Sequence, residues 1–236
     1  MASEPVAREP REAREPRDSH ESREPVAPDP PERRGLLIDY GGVLTTSLFD
    51  SFAEFCAQEG LEREAIARSL RGDRRARELL IALETGRLAE DEFESCLAEI
   101  LGVTAKDLIA RMFAGSQPDP VMTAAVRAAH EAGIRTGLVS NSWGTSRYDR
   151  ALLEELFDAV LISGEVGIRK PAPEIYRLAA ERIGLPPREW VFVDDLAFNL
   201  TPAAELGMAT VHHVDTEQTV TELERLLGVS LREAVP

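Results

Sequence analysis

Residues 35–47 read GLLIDYGGVLTTS. The uncharged run Gly35 to Ile38 leads straight into Asp39, and a pair of glycines follows. A short apolar run closed by a turn signal fits a strand buried on both faces, as in the middle of a parallel sheet. Open sheets of that kind bind their ligands at the carboxyl ends of the strands. Asp39 therefore stands where a reactive carboxylate would be presented.

Downstream, residues 48–113 run in helical periods without a strand pattern, and polar breaks at GDRR (72–75), ETGRL (84–88) and GVTAKD (102–107) divide them into about four helices. The stretch AGSQPDP (114–120) reads as a hinge. The rhythm then changes to helix followed by strand: VMTAAVRAAHEAG with IRTGLVS, YDRALLEELF with AVLIS, PEIYRLAAERIG with WVFVDD, and TPAAELG with MATVHHV. One opening strand and four such units predict an α/β fold, a Rossmann-like parallel sheet with helices on both faces. An all-helical segment is inserted after its first strand. The expected boundaries are 35–48 and 117–236 for the sheet domain and 49–116 for the helical insert, with residues 1–34 as a tail.

That tail is built from Arg, Glu and Pro, with AREP and EPVA each occurring twice. It holds too little apolar surface to offset the entropy of ordering, so disorder is expected. A formal net charge of −15 argues against a nucleic-acid partner. No apolar run is long enough to span a bilayer. The opening residues lack the apolar core of a secretory signal, which makes the cytosol the expected compartment. Cys56 and Cys96 suggest no disulfide framework, and His130, His212 and His213 lack metal-ligand spacing. The sequence does not speak to oligomeric state.

The strand ends carry a consistent set of residues: Asp39, then Ser140-Asn141, then Asp194-Asp195, with Lys170 just before a helix begun by Pro173. Singly, each reads as turn or cap chemistry. Gathered on one sheet edge, three carboxylates need a cation against their mutual repulsion, and hard oxygen donors favour Mg²⁺. A serine hydroxyl, an asparagine amide and a lysine ammonium are donors suited to phosphoryl oxygens. Lys170 is one of only two lysines beside a large excess of arginine, so a compact point charge is selected there.

In this order the residues resemble those of the haloacid dehalogenase (HAD) superfamily of aspartate-nucleophile hydrolases with a helical cap. GIRKPAPEIY (167–176) and FVDDLAFNLTPAAELGMATVHHV (192–214) are similar to the phosphatase domain at the amino-terminal end of soluble epoxide hydrolases. The resemblance covers about residues 35–230. It implies an Mg²⁺-dependent hydrolase of small phosphorylated metabolites, with an aspartyl-phosphate formed on Asp39. Ser140, Asn141 and Lys170 would be catalytic and would bind the phosphate. Asp39, Asp194, Asp195 and the backbone carbonyl of Gly41 would hold the metal. Asn199 matches a family position near the acidic pair. Trp143 and, from the loop LETGRL (83–88), Arg87 or Glu84 would meet substrate. A cap swinging on residues 46–50 and 114–120 would gate access.

The departure is Gly41, where most phosphatases of this superfamily carry a second aspartate. A glycine keeps the backbone carbonyl and loses the acid that protonates the leaving group. That leaves two alternatives to an active phosphatase: a catalytically weak phosphate-binding or regulatory module, and a metal-independent dehalogenase, against which the pair Asp194-Asp195 speaks.

Overall fold

A computed structural model of the chain describes residues 32–232. The expected tail therefore lies almost wholly outside the described residues.

Strand β1 spans Gly35–Ile38 and every residue of it is buried. Its side chains alternate between two layers: Leu36 and Ile38 enter one apolar core and Leu37 the other. Five helices follow it: α1 (Leu48–Gln58), α2 (Ala65–Gly72), α3 (Arg74–Glu84), α4 (Glu90–Leu101) and α5 (Leu108–Met112). About four were expected, and the unforeseen break lies between α1 and α2. There Gly60 adopts a left-handed conformation, and the amides of Gly60 and Leu61 turn back to the carbonyls of Ala57 and Cys56. This is a Schellman stop, which only a residue tolerant of positive φ closes without strain. The five helices share their own apolar core around Phe52, Phe55, Phe93 and Leu97.

The chain then enters α6 (Pro120–Glu131), whose first turn is fixed by Pro120 and by the Asp119 side chain accepting from the amides of Val121 and Met122. The remaining elements are β2 (Arg135–Ser140), α7 (Arg150–Leu156), β3 (Ala159–Ile162), α8 (Ser163–Val166), α9 (Pro173–Ile183), β4 (Trp190–Asp194), α10 (Ala197–Glu205), β5 (Ala209–His212) and α11 (Thr216–Leu227). Helix α11 was not anticipated; its apolar residues Val220, Leu223 and Leu227 close the layer formed with α6 and α7.

All strand pairs are parallel and the sheet order is β3-β2-β1-β4-β5. The chain leaves β1 to one side for β2 and β3 and returns to its other side for β4 and β5. The ends of β2, β1 and β4 therefore open side by side at a topological switch point. Those are the strands that end at Ser140, Asp39 and Asp194. The two connections to the helical segment run next to each other: Thr45 and Pro118 form an antiparallel bridge, and the Thr46 amide donates to the Gln117 carbonyl at 2.8 Å.

Candidate functional site

Asp39 leaves β1 still hydrogen-bonded to the sheet, its amide donating to the Val193 carbonyl at 3.0 Å. Its side chain is buried and its Oδ1 accepts from the Tyr40 amide at 2.7 Å. The same oxygen lies 2.7 Å from Lys170 Nζ, which also donates to Asp194 Oδ2 at 2.6 Å. Asp39 Oδ2 takes no hydrogen bond from any described residue. One oxygen of Asp39 is thus held in place and the other is left available.

Lys170 is only 1% exposed, the mark of a lysine built into a site rather than lying on a surface. Asn141 holds its backbone from both sides: Asn141 Nδ2 donates to the Lys170 carbonyl at 3.0 Å, and the Lys170 amide donates to Asn141 Oδ1 at 2.8 Å. Asn141 therefore positions Lys170, using one of its two amide hydrogens and its carbonyl oxygen to do so. Ser140 Oγ shares a 2.8 Å hydrogen bond with the Tyr148 hydroxyl.

Asp194 is fully buried with both oxygens engaged, Oδ1 accepting from the Leu196 amide and from Asn199 Nδ2, each at 2.9 Å. Asn199 is thereby tied to the acidic pair, while its own Oδ1 is buried with no partner. Carboxylate oxygens of Asp39, Asp194 and Asp195 lie within 4.8 Å of one another. Glycine at 42 makes this approach possible: its backbone is left-handed, and a Cβ there would overlap the Asp195 carboxylate.

The electrostatics of this cluster follow from burial. Loss of solvent pushes Asp39 up to about 8 against the pull of Lys170, and Asp194 and Asp195 add to the rise. Burial and then the Asp194 charge push Asp195 up to about 6. Burial disfavours the Lys170 charge, but Asp39 and Asp194 outweigh it and hold the ammonium above the ordinary lysine range. One cation is too little for three carboxylates, and a hard divalent ion fits the donor set. The unpartnered Asn199 oxygen beside the cluster suits the hydration shell such an ion keeps.

Residues 34–207 match the haloacid dehalogenase-like hydrolase family. The chain belongs to that family. Bifunctional epoxide hydrolase 2 of Rattus norvegicus is 35% identical over 52% of this chain and 23% of its own length. The sesquiterpene phosphatase astK of Aspergillus oryzae is 28% identical over 61% of this chain and 77% of its own. A HAD family enzyme from Bacteroides thetaiotaomicron, solved with magnesium and inorganic phosphate, superposes with a TM-score of 0.57 at 25% identity, covering 77% of this chain and 94% of that one. The chain spans less than a quarter of the length of the first curated relatives it matches.

Against the HAD pattern, the place of the second aspartate is filled from elsewhere. Gly41 has no left-handed backbone that would require glycine, and a Cβ on it would sit 2.9 Å from Leu48 Cδ1. A leucine from the start of α1 occupies that direction. Beyond it opens a cavity of about 330 Å³, which Asp39, Gly41, Lys170 and Asp195 line from the sheet side. Its opposite wall is Leu48, Phe49, Phe52, Ala67, Leu70 and Leu80 of the helical segment. At its edge stand two exposed phenylalanines, Phe49 on α1 and Phe198 on α10.

The remaining candidates divide. Trp143 lines this cavity and also packs against Phe52, Phe93 and Phe113, with ring centroids 5.3–5.7 Å apart, so it joins the sheet domain to the helical segment. Arg87 is not brought to the cavity: it is exposed, and its Nε donates to Thr85 Oγ1 at 2.9 Å. The left-handed Gly86 turns the chain so closely onto the Gly164 carbonyl that Arg87 is carried outward, and Glu84 takes the inward place. His212 Nε2 reaches the Asp195 carbonyl oxygen at 2.9 Å, while His130 and His213 bond to Thr136 and Thr219 away from the site. Two contributors were not foreseen. Tyr148 carries no pattern in SRYDR, and Arg169, paired with Glu84 at 2.5 Å, is hidden by its neighbour Lys170.

Proposed function

We propose that this HAD hydrolase is an Mg²⁺-dependent phosphomonoesterase acting through an aspartyl-phosphate on Asp39. The observation that carries the reading is the half-engaged Asp39: Oδ1 is fixed by Lys170 and Tyr40, and Oδ2 is available beside two more carboxylates. In the first step Oδ2 attacks phosphorus and the bond to the leaving oxygen breaks. In the second, water attacks phosphorus and frees Asp39. Lys170 keeps the nucleophile oriented and offsets charge on the phosphoryl oxygens, Asn141 keeps Lys170 in place, and Ser140 and Tyr148 offer hydroxyls beside them. Mg²⁺, held by Asp39, Asp195, the Gly41 carbonyl and Asp194 directly or through water, would supply the positive charge that a phosphate dianion needs next to three carboxylates.

The substrate is a small phosphorylated molecule whose organic part is apolar, because the wall facing Asp39 is made of Leu and Phe side chains. A relative that is itself a sesquiterpene phosphatase agrees with this. Residues 49–116 act as a cap over the sheet domain and move on the paired connections at 46–50 and 114–120. Closure excludes bulk water from the acyl-phosphate.

The test is hydrolysis of p-nitrophenyl phosphate and acetyl phosphate, with and without Mg²⁺, by wild type and by Asp39→Asn. Turnover that needs both the ion and Asp39 is expected. Turnover unchanged in Asp39→Asn overturns the reading. Phosphate binding without turnover would support the second reading, a phosphate-binding module, which Leu48 standing in for an acid beside Gly41 favours.

A further inference from the structure

The acid missing at Gly41 leaves the expelled alkoxide without a proton, and the cavity contains a candidate source. Among the residues lining it, the carboxyl groups are Asp39, Asp195 and Glu84. Asp39 is the proposed nucleophile and Asp195 belongs to the metal cluster. The other polar lining groups are poor acids: Asn141 and Asn199 are amides, and Lys170, Arg71 and Arg169 are cations that hold their protons tightly. Tyr40 and Tyr148 line an adjoining cavity that shares Gly41, Leu48, Asn141 and Trp143 with this one, and burial raises both phenols above their ordinary value, which makes them weaker acids than a carboxyl.

Glu84 ends α3 and is 4% exposed, an unusual state for a glutamate. Arg169 Nε stands 2.5 Å from its Oε2 and holds the side chain in place, while Oε1 takes no hydrogen bond from any described residue.

We propose that Glu84 is the general acid and base of the reaction, donating from the helical segment the proton that a side chain at position 41 would otherwise supply. This rests on the phosphatase reading above. As the bond from phosphorus to the leaving oxygen breaks, that oxygen keeps the electron pair and takes the proton of the Glu84 carboxyl, so the alcohol departs and Arg169 faces a carboxylate. In the second step that carboxylate removes a proton from the attacking water, the phosphorus bond to Asp39 breaks, and phosphate, Asp39 carboxylate and Glu84 carboxyl are restored. Burial suits Glu84 to both halves: it raises the group to about 7, against Arg169 and Lys170, which favour the charged form. The other charges around the cavity are Arg71 on α2 and Asp39 and Asp195 on the sheet edge. Because Glu84 sits on the segment proposed to move, the proton donor would be in place only when the segment is closed.

The experiment compares p-nitrophenyl phosphate, whose leaving group needs no proton, with n-hexyl phosphate, whose leaving group does, in wild type, Glu84→Gln and Arg169→Gln. In single-turnover reactions, which read the first step alone, Glu84→Gln is expected to slow release of hexanol by about 10²–10⁴-fold, with a far smaller loss in release of nitrophenol. Arg169→Gln removes the ion pair and keeps the acid, so it is expected to show no such contrast between esters. Equal losses on both esters in Glu84→Gln, or matching profiles for the two variants, make the pair structural and overturn the assignment. A Glu84→Gln protein that does not fold leaves the wild-type pH profile of that first step to decide: the single-turnover rate must fall as pH rises through about 7 on the hexyl ester and less on the nitrophenyl ester, and parallel profiles overturn the assignment. A wild type inert on both esters, with or without Mg²⁺, overturns the phosphatase reading and Glu84 with it.

Discussion

The two walls of the cavity are made differently. The sheet edge brings Asp39 and Asp194 to within hydrogen-bond distance of Lys170, with an Asp195 oxygen within 4.8 Å of theirs, at the ends of strands buried on both faces. The helical wall presents Leu48, Phe49, Phe52, Leu70 and Leu80, with Glu84 as its one acid facing the cavity. In the first wall Asp39 and Asp194 are positioned by strand backbone, and Lys170 by the side chain of Asn141 at the end of β2. The second is a set of side chains on short helices with their own core, joined to the first through Trp143 and the two paired connections. The proposed reaction is divided in the same way, with phosphate chemistry on the sheet and leaving-group selection on the helices.

Substitutions should separate the walls, and the largest effect is expected on the sheet side. Asp39→Asn should lower kcat on p-nitrophenyl phosphate by about 10⁴-fold or more, since a nucleophile leaves little behind when removed. A remaining rate within a factor of ten would place the nucleophile elsewhere. Lys170→Met strips the buried ammonium from two carboxylates and should destabilise the metal-free protein by about 3–5 kcal/mol in urea unfolding, in line with loss of one partner of a buried pair. Added Mg²⁺ should recover part of that loss.

Gly42→Ala is next. It forces a side chain into a left-handed backbone against Asp195, and it should weaken Mg²⁺ binding, read by calorimetry, while costing about 1–3 kcal/mol in stability. The helical wall should respond in selectivity. Phe49→Ser and Phe198→Ser should each lower kcat/KM on decyl phosphate about 5–30-fold relative to methyl phosphate, and equal effects on both esters would show that the organic group does not lie between them. Gly41→Asp together with Leu48→Ala restores a carboxylate and clears its way, so turnover of hexyl phosphate should rise more than that of p-nitrophenyl phosphate.

The last expectation concerns pH. Asp39 is raised from an ordinary value near 4 to about 8, so its proton is bound more tightly in the folded, metal-free chain than in the unfolded one. Its contribution to stability is complete below about pH 4 and is lost as pH rises through about 8. Melting curves in EDTA should therefore fall more steeply with pH for wild type than for Asp39→Asn, and parallel curves would contradict the assigned burial.

The α/β alternation was legible because the strands are short runs with apolar centres closed by turns, and the helices repeat their apolar residues on one face. The site on the sheet edge was legible for a related reason: Asp39, Ser140, Asp194 and Lys170 sit at fixed offsets from such runs, and strand ends on one edge must converge. Helix α11 was missed although Val220, Leu223 and Leu227 carry the right period, because no strand follows to complete the unit. The choice between Arg87 and Glu84 stayed open in the sequence for want of a direction. Arg87 and Glu84 share one loop, and only the left-handed turn at Gly86 against Gly164 decides which faces inward.

The sequence by itself determined the parallel sheet, the inserted helices and the residues on the sheet edge, since those follow from periodicity and covalent order along one chain. Tertiary structure alone decided that Asn141 clasps Lys170, that Leu48 stands where a second acid would be, and that Glu84 shares a chamber with Asp39. Those facts depend on contacts between segments tens of residues apart, where side-chain direction and burial, rather than residue type, set what each group can do.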